Sequence, residues 1–96
     1  MSAIVTEAVA RMTEKLGGAR FDGSAKFVIE GEGALMIDES GVRAGDDPAD
    51  VTLTATAAVF KAMLDGDLNP TAAFMSGKLA VDGNMGLAMK LGSVLG

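Results

Sequence analysis

Few side chains in this 96-residue sequence are of the types that perform acid–base or nucleophilic chemistry. It has no His, Cys or Tyr, so the commonest general base, a thiol nucleophile and Cys-based zinc sites are excluded. Ser76 and Lys78 have the types of a Ser–Lys pair, but they flank Gly77 at the end of an expected helix. Because nothing near them supplies an oxyanion site, we interpret this stretch as a solvated turn.

The stretch DGDLN has acidic and amide side chains at the spacing of a calcium-binding loop, with Asp65, Asp67 and Asn69 at alternate positions. A calcium loop needs a Gly at its sixth position and a bidentate Glu at its twelfth, and here these are Pro70 and Ser76. We therefore predict that it binds no calcium.

Two further stretches resemble ligand sites only in part. GEGALM at 31–36 supplies two glycines of a dinucleotide fingerprint but lies between two expected strands, so we interpret it as a hairpin turn. The acidic stretch GDDPAD at 45–50 is interpreted as a solvated loop. The net charge of −5 argues against nucleic-acid binding, which needs clustered cations. The sequence thus predicts no catalytic residue, no metal, no cofactor and no enzyme.

The hydrophobic spacing predicts a single domain over 1–96 of the α+β class. Apolar residues recur at helical spacing in 3–16, where Glu7 and Arg11 are expected to pair one turn apart. Alternating patterns then predict four strands, two helices follow, and a fifth strand precedes a final helix. We predict a five-stranded, mostly antiparallel sheet with about four helices packed on one face. The expected strands are 25–30, 34–38, 42–45, 51–57 and 78–83, and the helices are 3–16, 57–64, 70–76 and 85–95.

The final predicted helix, 85–95, is apolar on more sides than one core can cover, because Lys90 is its only charge. Its length of ~16 Å is half of what a membrane span needs. In one interpretation, Leu87, Leu91 and Leu95 pack on the sheet while Met85, Ala88, Met89 and Gly92 meet the N-terminal helix. In the other, Met85, Met89 and their neighbours line an apolar cavity between this helix, the helix that carries Phe60 and the sheet. The composition, with seven Met and only 4% aromatic residues, suits either interpretation.

Residues 69–91, NPTAAFMSGKLAVDGNMGLAMKL, resemble the signature of the sterol carrier protein 2 domain family. The likeness consists of an Asn-Pro helix start, then Ser-Gly-Lys-Leu, then Gly-Asn-Met-Gly-Leu-Ala-Met-Lys-Leu. The earlier part of the chain is similar in the order of its elements more than in motif. The resemblance implies a small stand-alone lipid-binding domain without catalytic residues, in which sheet and helices enclose a hydrophobic tunnel.

Carried over position by position, the resemblance implies that the tunnel is bordered mainly by residues of the matching segment. Two residues of the preceding helix are added by their helical pattern. The expected lipid-binding residues are Phe60, Leu64, Phe74, Met75, Leu79, Met85, Leu87, Ala88, Met89 and Leu91. A ligand bearing coenzyme A would also need cations at the mouth, for which Lys61, Lys78 and Lys90 are the candidates.

The expected function is binding, and with it transfer, of apolar lipids such as fatty acids, fatty acyl-CoA or sterols. The alternative is a protein-interaction or self-association module that uses the apolar C-terminal helix. We expect a monomer that takes a lipid ligand and makes transient membrane contact without stable insertion. The interrupted start MSAIVTEAVARMTEK contains no signal peptide, and the chain lacks the peroxisomal tripeptide of longer members, so we expect a cytoplasmic protein.

Overall fold

Nine helices and strands follow one another in residues 3–18 and 21–95, which the structure, a computed structural model, describes. Their order matches the predicted one, and where an end differs from its predicted position it does so by one or two residues, so the predicted fold class is confirmed. The elements are α1 (Ala3–Leu16), β1 (Ala25–Ile29), β2 (Gly33–Asp38), β3 (Gly41–Ala44), β4 (Val51–Ala55), α2 (Ala57–Leu64), α3 (Pro70–Met75), β5 (Ala80–Gly83) and α4 (Met85–Leu95).

The five strands form one sheet in the order β3-β2-β1-β4-β5. The pairs β1–β2, β2–β3 and β4–β5 are antiparallel, whereas β1 and β4 lie parallel at the centre. In this register Phe27 has Leu35 on one side and Leu53 on the other. The sheet is therefore mixed and mostly antiparallel, as predicted.

The sheet has a buried face that carries the helices and an outer face that is partly solvated. Alternate residues of β1 and β4, such as Phe27 and Leu53, are buried, while Lys26 and Thr52 between them are half-buried. The buried residues join side chains from all four helices in one core. At its centre the rings of Phe27 and Phe60 lie 4.3 Å apart between centroids. The predicted placement of the helices on one face is thus confirmed.

The connection from β3 to β4 runs over the outer face of the sheet. Lys26 Nζ donates to Asp46 Oδ1 at 2.9 Å, and a Cβ built on Gly45 would lie 3.1 Å from Met36 Cγ. Lys26 and Met36 are register partners on this outer face, and Met36 is nevertheless buried. The acidic stretch at 45–50 is therefore a loop that is held to the sheet at Gly45 and Asp46 and has Asp46, Asp47 and Asp50 exposed.

Three helices begin at a side chain that caps their free amides. Thr56 Oγ1 accepts from Val59 N at the start of α2, Asn69 Oδ1 from Thr71 N at α3, and Asn84 Oδ1 from Leu87 N at α4.

The predicted pair between Glu7 and Arg11 is wrong. Arg11 Nη2 lies 2.6 Å from Asp65 Oδ1 and so joins α1 to the end of α2. Both side chains are partly shielded from water there. Solvent therefore weakens this ion pair less than it would weaken a pair between Arg11 and an exposed carboxylate one turn away.

Candidate functional site

An apolar groove of about 540 Å³ lies between α3, α4 and the adjoining edge of the sheet. α4 forms one wall and α3 the other, and β4, β5 and the segment before β5 supply the floor. The lining residues are Leu53, Asn69, Pro70, Thr71, Phe74, Leu79, Val81, Met85, Ala88, Met89, Gly92 and Ser93.

Local rules of helix and strand geometry bring these side chains together. Leu53 and Val81 are register partners on the inward face of β4 and β5. Met85 and Met89 are one turn apart on α4 and so line one side of it. Gly92 lets α4 approach α3, because a Cβ at this position would already be in van der Waals contact with Pro70 Cβ, at 3.7 Å.

The groove is open to solvent along one side. Phe74, Met85 and Met89 line it with 44%, 48% and 74% of their surfaces exposed. These values answer the question raised by the apolar C-terminal helix: its second apolar side faces the groove, and no other part of the described chain covers it. The enclosed tunnel that the resemblance implies stays a prediction.

Two of the polar side chains at the groove, Asn69 and Ser93, have partners within the chain. Asn69 Oδ1 accepts from the amides of Thr71 and Ala72, and Ser93 Oγ donates to the carbonyl of Met89. None of the groove's lining residues is titratable. Within residues 3–18 and 21–95, no group of three or more His, Cys, Asp or Glu is placed to hold a metal ion. The groove therefore favours contact with apolar groups.

A second, smaller cleft of about 250 Å³ lies between α1 and α2. Its floor is apolar, with Ala8, Phe60 and Leu64, and its rim carries Glu7, Arg11 and Lys61. It shares no lining residue with the groove. Lys61 is therefore placed at this cleft, apart from the groove.

The structure brings five of the ten expected lipid-binding residues together in the groove: Phe74, Leu79, Met85, Ala88 and Met89. Phe60 and Leu64 line the second cleft instead. Leu91 is fully buried in the core, and Leu87 is half-buried beside Gly23, where an added Cβ would lie 3.0 Å from its methyl carbons. Met75, at the end of α3, is 80% exposed and does not line the groove.

Seven groove residues were not among the expected ones: Leu53, Asn69, Pro70, Thr71, Val81, Gly92 and Ser93. Two of them carried a signal in the sequence. Val81 on β5 lies two residues beyond Leu79, and Ser93 lies one turn beyond Met89. Leu53 depends on which strand lies beside β5, which spacing alone does not give.

The fold and the groove define a small α+β domain with an apolar groove between its last helix and one edge of the sheet. In the described part of the chain, no helix is long and apolar enough to cross a membrane. Residues 9–96 match the SCP-2 sterol transfer family. The chain belongs to this family.

The curated proteins that are similar to this chain are longer than it is. Hydroxysteroid dehydrogenase-like protein 2 of Xenopus laevis is 42% identical over 82 residues, which cover 77% of this chain and 20% of that protein. Sterol carrier protein 2 of Rattus norvegicus is 42% identical over 67 residues, which cover 70% of this chain and 11% of that protein. The chain thus spans a fifth or less of the length of these two relatives.

Solved structures share the fold over nearly the whole chain. Sterol Carrier Protein 2 Like 2 from Aedes aegypti has a TM-score of 0.79 at 23% identity, with 95% of each chain covered. The solution structure of palmitated SCP2L2 from the same organism has a TM-score of 0.69 at 26% identity, with 99% of this chain and 95% of that chain covered.

Proposed function

We propose that this chain binds lipids with a single long alkyl chain, of the fatty-acid class, in the groove between α3 and α4. The observation that carries the proposal is the groove itself, which is apolar and about 540 Å³ in volume. This volume is within the range of roughly 300–1,000 Å³ typical of small-molecule sites. Membership of the SCP-2 family and the palmitated Aedes aegypti relative support the same ligand class.

The side chains of the groove suit an alkyl chain better than a rigid, uniquely shaped ligand. Met85 and Met89 are flexible and polarizable, so they adapt to chains of different length and unsaturation. When a lipid binds, its alkyl groups replace water on these two side chains and on Phe74. This burial contributes ~25 cal/mol per Å² of apolar surface to the binding free energy. Selectivity among alkyl lipids is therefore broad, and a rigid sterol is expected to fit this site less well.

The proposed function includes no chemistry on the lipid. The groove has no titratable side chain among its lining residues, so it offers neither a general base nor a nucleophile. A bound lipid is held and later released, which amounts to transfer when release is to another membrane or to an enzyme.

The charged part of an acyl-CoA would need cations outside the groove. Of the three candidate lysines, Lys78 follows α3 and Lys90 lies on α4, whereas Lys61 lines the second cleft. Replacement of Lys78 or Lys90 by Gln is expected to weaken acyl-CoA binding and to leave free fatty-acid binding unchanged. Equal binding of acyl-CoA by wild type and both variants would argue against this ligand.

Blocking the groove from inside tests the proposal directly. In Gly92→Phe the ring would project into the space beside Pro70, whereas Gly92→Ala adds one methyl group in ordinary contact distance of that residue. Native mass spectrometry with palmitate is expected to show a one-to-one complex for wild type and Gly92→Ala, and none for folded Gly92→Phe. A wild-type monomer that binds neither palmitate nor cholesterol would overturn the proposal, and a dimer would favour the self-association alternative.

A further inference from the structure

The methionines of the described chain are divided between its interior and the groove. Six of the seven Met of the sequence lie within the described residues. Three are buried, with at most 2% of their surfaces exposed: Met12, Met36 and Met63. The other three are exposed and lie on the two helices that form the groove walls: Met75, Met85 and Met89. Every exposed thioether of the described residues is thus in the groove or beside it.

Thioether sulfur is the group of this protein that mild oxidants attack. The sequence has no Cys, and it has no His, Tyr or Trp either. A peroxide therefore finds no thiol to react with first, and its reaction falls on Met. One peroxide oxygen is transferred to Sδ: an S–O bond forms, the O–O bond breaks, and water leaves when the oxidant is hydrogen peroxide. The product, methionine sulfoxide, is polar where the thioether was apolar.

Exposure decides which of these sulfurs react. A buried Met meets peroxide only when the protein opens locally, whereas an exposed one is always in contact with the solution. Met85 and Met89 are therefore expected to be oxidised while the protein is folded. α4 is held to the core by three other residues, Ala88, Leu91 and Leu95, which an oxidant leaves unchanged. Oxidation thus alters the wall of the groove and leaves the helix in place.

A sulfoxide on this wall disfavours an alkyl ligand. Most of the other lining residues are apolar, among them Leu53, Leu79 and Val81. A sulfoxide oxygen that stays in the groove loses its water beneath a bound alkyl chain, which costs free energy. One that turns outward to keep its water takes its side chain away from the lipid. Both outcomes weaken the contact between the groove and an alkyl chain.

We propose that Met85 and Met89 form an oxidation site through which peroxides block lipid uptake by the groove. This inference rests on the proposed function and adds its regulation. The lipid also acts on the site, because an alkyl chain in the groove covers the same two sulfurs and slows their oxidation. The lipid-free protein is thus the form that peroxide inactivates. A methionine sulfoxide reductase restores the groove: the oxygen leaves as water, and two thiols are oxidised to a disulfide.

Met75 separates the effect of the groove from the effect of exposure. It is more exposed than Met85 and Met89 but does not line the groove. Peptide mapping by mass spectrometry after hydrogen peroxide treatment is expected to show sulfoxide at all three, and thioether at the buried Met. Saturation with palmitate is expected to slow oxidation of Met85 and Met89 several-fold and to leave the rate at Met75 unchanged. Equal rates with and without palmitate would overturn the inference.

The effect on binding is measured as the Kd for palmitate after peroxide treatment divided by the Kd before it, for each protein separately. Wild type is expected to give a ratio of about ten, the effect of desolvating one polar group. The double variant Met85→Leu and Met89→Leu keeps apolar side chains of similar size without sulfur, so its ratio is expected to stay near one. Met75→Leu is the matched control and is expected to give the wild-type ratio.

A wild-type ratio near one with Met85 and Met89 oxidised would overturn the inference, as would equal ratios for wild type and the double variant. The urea midpoint of wild type is expected to survive the treatment, and unfolding by peroxide would assign the loss of binding to the fold instead. Palmitate binding before treatment separates the two proposals. Binding that peroxide leaves unaltered refutes only the oxidation site, whereas no binding by untreated wild type refutes the proposed function.

Discussion

Asp38 and Arg43 form an ion pair across the turn between β2 and β3. Arg43 Nη1 donates to Asp38 Oδ2 at 2.7 Å, and the Ser40 amide donates to Asp38 Oδ1 at 2.9 Å. The hydrogen bond from Arg43, and after it the one from Ser40, lower the pKa of Asp38 below its ordinary value. The charged carboxylate therefore stabilises the folded hairpin more than the neutral acid does.

The sign of this pKa shift fixes a pH dependence. Because the folded pKa of Asp38 is lowered, its contribution to stability is present above the ordinary Asp pKa of about 3.9 and is lost as pH falls through the folded value. Asp38→Asn is expected to lower the urea midpoint at pH 7, and this difference from wild type is expected to shrink below pH ~4. An NMR titration should show the Asp38 pKa rise in Arg43→Gln, and an unchanged pKa would contradict the assignment.

Gly83, the last residue of β5, lies at a place with no room for a side chain. Its φ is +113°, and a Cβ there would clash with the backbone carbonyl oxygen of Asp50. Gly83→Ala is expected to destabilise the protein by ~3 kcal/mol, because a backbone clash is added to the strain of positive φ. Gly66→Ala, at φ +81° but with open space around it, is the control and should cost about 1–2 kcal/mol. Similar urea midpoints for the two variants would contradict the clash.

The expected lipid-binding residues and the residues that line the groove coincide only in part. Phe60 and Leu64 were expected at the site because they form a helical stripe with other apolar residues. Such a stripe shows that a helix face is covered, but not which neighbour covers it. The structure places Phe60 against Phe27 and beside α1, so these two side chains belong to the core and the second cleft.

At the scale of elements, α3 is the least anchored wall of the groove. It has six residues, and only Pro70 and Ala73 are buried. A helix this short is not stable alone in water and depends on its Asn69 cap and on packing. α4, by contrast, has three buried residues, and the amide of Asn84 before it donates to the Asp50 carbonyl at 3.0 Å. A wider groove is therefore expected to arise from movement of α3.

This difference between the two walls predicts a pattern of hydrogen exchange. Amides of α3 should exchange faster than those of α4, and Asn69→Ala should accelerate them further, with a loss of ~1 kcal/mol for the cap. Asn69→Ser retains an oxygen acceptor and is expected to exchange nearly as wild type does. Added palmitate should slow exchange in α3 most. Uniform protection of both helices would contradict the expected movement.

The order and type of the elements could be predicted from the sequence because each element has its own spacing of apolar residues and its own residues that mark where it begins or ends. Residues 51–55 alternate Val, Leu and Ala with Thr, and 69–70 give an Asn cap followed by Pro. The strand order could not be predicted in this way. The alternation of apolar and polar residues in β4 shows which of its faces is buried. The position of β4 beside β1 is decided by tertiary packing and by the path of residues 45–50 over the outer face of the sheet.

At the scale of the whole molecule, lipid binding and folding stability are coupled. A ligand that binds only the folded state at about one hundred times its Kd adds ~2.7 kcal/mol to the unfolding free energy. For a domain of this size each kcal/mol raises Tm by about 4–8 °C. Palmitate is thus expected to raise the Tm of wild type by roughly 10–20 °C. Scanning calorimetry should show no such rise for Gly92→Phe, whereas an equal rise would place the lipid outside the groove.

The parallel pairing of β1 with β4 at the centre of the sheet also determines when the sheet can be completed as the chain is synthesised. β1, β2 and β3 pair through short turns, so they can associate soon after they leave the ribosome. Ala25, however, pairs with Val51, and β1 keeps one unpaired edge until β4 has emerged. The nascent chain is therefore most exposed to edge-to-edge aggregation in the interval between these two strands, and β4 ends that interval.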